Sequence, residues 1–151
     1  MEWVEKLRGT IVGLDSAPLI YFVEEHPACL SLLDPFFEAV EQGEIQLVTS
    51  TLTLSEVLVY PIRRFDIPLV TEYSEILLNS PNLRTIPASP QIATDAAQLR
   101  ATLRLRTPDA IQVATARSEN ATAFLTNDHG ITTSSAMQLI VLDDLLANQR
   151  P

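Results

Sequence analysis

With 151 residues, 46% of them apolar, the chain is sized for one folded domain over residues 1–151, able to bury about two thirds of the surface its unfolded form exposes. A formal charge of −9, from 19 acidic against 10 basic residues, excludes the broad, salt-driven backbone binding of a basic nucleic-acid protein. One cysteine excludes an intrachain disulfide and a thiolate metal cluster.

No apolar run approaches the roughly 18 residues of a membrane span, and Met1–Arg8 lacks a signal's apolar core, so a cytoplasmic protein is expected. The first eight residues and the last few are expected to be loosely held. Thr10 to Leu14 reads as a β-prone run that stops at Asp15; Ser16 and Pro18 then open a helix carrying Leu19, Ile20, Phe22 and Val23. Cys29 reads as a small apolar filler and His26 as a helix-end residue. Asp34-Pro35 starts a second helix that Gly43 ends, and Ile45 to Thr49 is a strand. A helix over Thr53 to Val59 is expected to stop near Tyr60-Pro61, because proline restricts the residue before it.

Another helix begins around Asp66, with Val70, Tyr73, Ile76 and Leu77 on one face. Leu83 to Ile86 is a strand, and Ser89-Pro90 caps a helix through Ile92, Ala96, Leu99 and Leu103 whose other face carries Arg100 and Arg104. Thr107-Pro108 opens the next helix, Ala123 to Thr126 and Leu139 to Leu142 are the last strands, and Asp143 can cap a short final helix. Five strands separated by helices predict an α/β fold with a mainly parallel sheet covered on both faces. Such sheets bind ligands beyond their carboxyl ends, where the winding direction switches.

Four acids fall at the ends of these elements: Asp15 after the first strand, Glu56 in the first turn of its helix, Asp109 directly after Pro108, and Asp128 just beyond Thr126. Each has an ordinary structural reading beside a functional one. Glu56 completes a Thr53-x-x-Glu capping box, Asp109 is a first-turn acid, Asp15 is a turn residue, and Asp128 lies in the turn-prone Asn127-Asp128-His129-Gly130. Helix amides favour ionised Asp109 and Glu56, whereas gathered like charges raise each other's proton affinity, a conflict that a divalent cation resolves. Carboxylate and water oxygens suit Mg²⁺, with Mn²⁺ as a substitute.

The segments Gly13-Leu14-Asp15-Ser16-Ala17-Pro18, Thr51-Leu52-Thr53-Leu54-Ser55-Glu56, Thr107-Pro108-Asp109-Ala110-Ile111 and Phe124-Leu125-Thr126-Asn127-Asp128 resemble, in order, those of the PIN domain family, and within it the VapC-like toxins of toxin–antitoxin pairs. The likeness runs from about Ile11 to Leu145. It implies a three-layer α/β/α sandwich around a roughly five-stranded, mainly parallel sheet, and RNA cleavage with Mg²⁺ or Mn²⁺. It also implies that Asp15, Glu56, Asp109 and Asp128 act as metal-holding catalytic acids, with Thr126 in support. Asn127 can bind an acid or a water, or face solvent in its turn. Ala17 stands where relatives often carry Asn, and Gly130 and Ile131 offer no further acid.

The inferred chemistry is phosphodiester hydrolysis, with bound ions lowering the pKa of a water and offsetting charge on the attacked and leaving oxygens. Arg63, Arg64, Arg104 and Arg106 are candidate phosphate contacts; solvated surface and partner binding are the other uses open to them. His129 reads as a surface histidine, Tyr60 can stack on a base, and Trp3 covers core or a subunit contact. The likeness further implies an RNA substrate, a cognate antitoxin and a homodimer formed through apolar positions between Asp34 and Leu78. A free-standing RNA-processing nuclease, a catalytically weak binding module and, behind both, a phosphatase or phosphotransferase remain as alternatives.

Overall fold

Alternation along the strands decides which face of the sheet each side chain covers. Val12, Leu14, Leu47, Ala123 and Leu125 enter one apolar core, while the intervening Val48 and Phe124 enter another. The computed structural model describes residues 1–134 and 136–149. In chain order its elements are α1 (Glu2–Glu5), β1 (Ile11–Leu14), α2 (Ser16–Val23), α3 (Leu30–Glu41), β2 (Gln46–Ser50), α4 (Thr51–Arg63) and α5 (Ile67–Asn79). There follow β3 (Leu83–Ile86), α6 (Pro90–Leu103), α7 (Thr107–Ser118), β4 (Ala123–Thr126), β5 (Gln138–Val141) and α8 (Leu142–Asn148).

The five strands lie in the order β3-β2-β1-β4-β5, every neighbouring pair parallel. Winding therefore reverses between β1 and β4, in register from Val12 opposite Ala123 to Leu14 opposite Leu125. One face is covered by α1 to α5 and α8, through Val4, Leu19, Phe36, Val57, Tyr73 and Leu142; α6 and α7 cover the other through Leu99, Val113 and Ala116. The result is the expected α/β/α sandwich.

Gly13 sets the approach of α7 to the sheet. A Cβ there would stand 2.6 Å from the Ala116 Cβ and 2.8 Å from the Phe124 ring, closer than side-chain carbons pack. No helix is long and apolar enough to cross a membrane among the described residues.

Several local expectations need correction. The cap of α2 is Asp15 rather than Ser16, its carboxylate accepting from the Ser16 amide. Pro35 and Pro61 lie inside α3 and α4 instead of bounding them. A proline there removes one hydrogen bond, but burial offsets that loss: Leu32, Leu33 and Phe36 flank Pro35 in the core, and Pro61 is buried one turn from Val57. Ser50 caps α4 by accepting from the Leu52 amide, so Thr53 is no N-cap and the capping-box reading of Glu56 fails. Nor is the amino end loose: Val4 and Leu7 are buried and Trp3 stacks on Phe36 at 5.3 Å, its expected core-covering role. Cys29 is buried as a filler, and Asp66 and Ser89 cap α5 and α6 as read from sequence. The last two residues, Arg150 and Pro151, lie outside the described residues.

Candidate active site

At the carboxyl edge where winding reverses, β1 delivers Asp15 and β4 delivers Thr126. The Asp15 amide still bonds the Leu125 carbonyl at 3.0 Å, extending the ladder one residue past the strand and fixing where the side chain starts. One Asp15 oxygen accepts from the Ser16 amide at 2.8 Å and the other from the Thr126 hydroxyl at 2.6 Å. Thr126 Oγ1 in turn accepts from the Asp128 amide at 3.0 Å, so its single proton is committed to Asp15 and the turn bearing Asp128 is tied to the same hydroxyl. Asp128 Oδ1 accepts from the Gly130 amide at 2.7 Å, which closes that turn.

Glu56 comes from the second turn of α4, not the first, since the helix starts at Thr51. Its placement depends on a buried hydroxyl chain. Thr49 bonds the Leu14 carbonyl at 2.8 Å and therefore receives the Thr53 proton, leaving Thr53 to accept from Gln112 Nε2 at 2.6 Å. This relay joins β1, β2, α4 and α7 beneath the acids. Asp109 stands in the first turn of α7, its side chain 13% exposed. Arg106, the residue before that helix, reaches Asp109 Oδ2 through Nε at 3.0 Å and Asp128 Oδ2 through Nη2 at 3.3 Å.

Electrostatically the four acids share one neighbourhood. Asp15 is raised above the ordinary carboxylate range, first by desolvation and further by Asp109 and Asp128, against the lowering bonds from Thr126 and Ser16. Glu56 is raised as well, by desolvation and then by Asp15 and Asp109, although it lies at the exposed rim. Desolvation therefore outweighs any helix-end stabilisation expected for Glu56, which sits a turn too deep to feel it fully. Ser16 and Gln112 stand close enough to lower the Glu56 pKa, yet Ser16 Oγ and Gln112 Oε1 are buried without a hydrogen-bond partner.

Hard oxygen donors, crowded like charges and two orphaned buried oxygens beside Glu56 fit a divalent cation in chemical character. Position is a separate matter: among the described residues, no three His, Cys, Asp or Glu side chains stand so as to hold one ion. The fold brings the acids to one edge without converging their oxygens on a point.

The remaining candidates divide. Arg64 lies over the Tyr60 ring at 5.7 Å and faces Glu24 at 3.8 Å, at the far end of the helix that carries Glu56. Arg63 is exposed in the last turn of α4. Arg104 is not on the helix face but is its C-cap, in the left-handed region at φ 56°. Asn127 turns away from the acids and accepts from the Asp143 amide at 2.9 Å, supplying the α8 cap expected of Asp143. His129 is exposed beside Asp144 at 3.2 Å. Gln112 and Ser16 escaped sequence reading as site neighbours; the available signal was a lone amide within the apolar run Ala110–Ala116.

Residues 12–133 match the PIN domain. Comparison with curated proteins finds no match. Among solved structures, VapBC2 from Rickettsia felis, bound to a DNA fragment from its promoter, aligns with TM-score 0.65 and 19% identity over 87% of this chain and 98% of that one. FitAcB from Neisseria gonorrhoeae gives TM-score 0.62 and 20% identity over 87% and 97% of the two chains. VapBC-1 from nontypeable Haemophilus influenzae gives 0.57 and 18% over 88% and 98%. These likenesses concern the fold. Because the sequence match takes in all four acids, from the strand before Asp15 to the turn after Asp128, the chain belongs to the PIN domain family.

Proposed function

We propose that this PIN domain hydrolyses RNA phosphodiester bonds with Mg²⁺ or Mn²⁺ bound by Asp15, Glu56, Asp109 and Asp128. The observation that supports this best is the linkage of Asp15, Asp128 and Asp109 through Thr126 and Arg106 at the switch between β1 and β4, where an α/β sheet exposes its ligand site. A divalent cation held there supplies an activated water and offsets charge developing on the phosphate oxygens. The chain's own residues supply position. Thr126 fixes the Asp15 carboxylate, the Gln112–Thr53 bond ties α7 to α4, and Arg106, with Arg63, Arg64 and Arg104 farther out, offers guanidinium donors to phosphate. With a net charge of −9, binding depends on those few local cations rather than on a basic surface.

The relatives solved as toxin–antitoxin assemblies motivate the finer reading of a cytoplasmic toxin whose cleft a cognate antitoxin covers. The test is degradation of a mixed RNA pool by purified protein with Mg²⁺ or Mn²⁺. Asp15→Asn and Asp109→Asn should each abolish cleavage while leaving the circular dichroism unchanged, and persistent cleavage in both would refute the site. A second reading, a binding module with little catalysis, draws on Ala17 and on the failure of three acids to converge. Calorimetry with Mn²⁺ separates them: the nuclease binds the ion and loses it in Asp15→Asn, whereas the module binds RNA or protein without metal.

A further inference from the structure

Four acids share the same sheet edge; among the described residues no three side chains stand so as to hold one ion, and two of the four acids are already paired with Arg106. Its guanidinium takes Oδ2 of both Asp109 and Asp128, one from the first turn of α7 and one from the turn after β4. A planar five-donor cation can bridge two carboxylates that would otherwise repel. While it bridges them, one oxygen of each acid is occupied by the guanidinium.

Among the described residues, Asp109 and Asp128 are the polar partners of this side chain. Arg106 is 75% exposed and stands before α7 in extended backbone, so withdrawing it uncovers no core. Exposed pairs of this kind are weak and easily exchanged. Asp109 is 13% exposed, so the acid stays while the cation can leave.

We propose that Arg106 is an exchangeable internal counter-ion. It neutralises Asp109 and Asp128 in the metal-free protein, gives up both oxygens when a divalent cation arrives, and only then has its guanidinium free for a phosphate oxygen of the substrate. Ion and substrate thus bind in order, and the cation lost by the carboxylates is reused a few ångströms away. This rests on the reading of the four acids as metal ligands.

Two measurements on the full chain test it. In calorimetric titration with Mn²⁺, Arg106→Ala should bind about three- to tenfold more tightly than wild type, because the competing pairs are gone. Arg106→Lys should fall between, since a single ammonium keeps the charge but loses the fork. In wild type, the Arg106 Nε–H signal in ¹H–¹⁵N spectra should move on titration with Mg²⁺, in step with the Asp109 and Asp128 carboxyl carbons. A purely structural arginine would not tighten metal binding when removed. Unchanged or weaker Mn²⁺ affinity in Arg106→Ala, wild-type affinity in Arg106→Lys, or an Nε–H signal unmoved at saturating Mg²⁺ would each overturn the exchange while leaving the nuclease reading intact. Absence of ion binding in both wild type and Arg106→Ala would instead remove the metal reading, and this inference with it.

Discussion

Asp15 carries two opposed loads. Its oxygens cap α2 and receive the Thr126 proton, which favour the charged form, but burial and two neighbouring acids disfavour it more strongly. Since its pKa is raised in the folded state, the folded protein holds that proton more tightly than the unfolded chain does. The associated stability is present at acid pH and is lost as pH rises through the raised value. Asp15→Asn removes the charge while its amide can still accept from Ser16. In chelator at neutral pH it should melt about 2–4 °C above wild type, on the order of 1 kcal/mol, with the gap closing on acidification. Adding Mn²⁺ should raise the wild-type melting temperature alone, and a scanning calorimeter reads both effects. Of this residue's roles, the sequence showed its place after a strand, and the family likeness pointed to Thr126 as a support of the site; which acid Thr126 bonds, across 111 positions, only the fold decided.

At the scale of elements, the site depends on how closely α7 approaches β1. Gly13 allows that approach, because a methyl at its Cα would strike Ala116 and Phe124. Gly13→Ala should therefore cost about 1–3 kcal/mol in urea unfolding and push outward the helix that carries Asp109, weakening Mn²⁺ binding together with stability. Adding Ala116→Gly should restore part of the loss, less the roughly 1 kcal/mol that a helical glycine costs. Strands and the caps Asp66 and Ser89 were readable because apolar alternation and Ser, Asp and Pro signals are local; Ser16 and Asp143 yielded their capping roles to Asp15 and Asn127. The errors came at Pro35 and Pro61, where burial of whole helix faces outweighed one missing hydrogen bond, and at Thr53, whose hydroxyl is taken by a relay through Gln112 and Thr49.

For the molecule as a whole, the apolar surface left around the end of α4 and the start of α5 bears on assembly. Tyr60, Ile62, Phe65 and Ile67 are all exposed there, Phe65 by 89%. Phe65 also has φ 54°, a region that bulky side chains rarely occupy. A residue unfavourable on both counts is consistent with a surface covered by a protein, in line with the homodimer expected from sequence. Light scattering should then find the chain at twice its 16.7 kDa mass. Phe65→Asp should shift it to monomer without lowering the melting temperature, because aspartate tolerates that backbone better. A monomeric wild type would overturn the homodimer that the family likeness implies.

The sequence by itself determined the strand and helix succession from β1 onward, the parallel α/β class, and the placing of acids near element ends, because periodicity, caps and turn chemistry act within a few residues. Tertiary structure decided what those acids face: Thr126 on Asp15, Gln112 beneath Glu56, and Arg106 between Asp109 and Asp128. Such contacts join segments far apart in the chain, so they form only once the sheet has ordered its strands and packing has fixed how near α4 and α7 come to it.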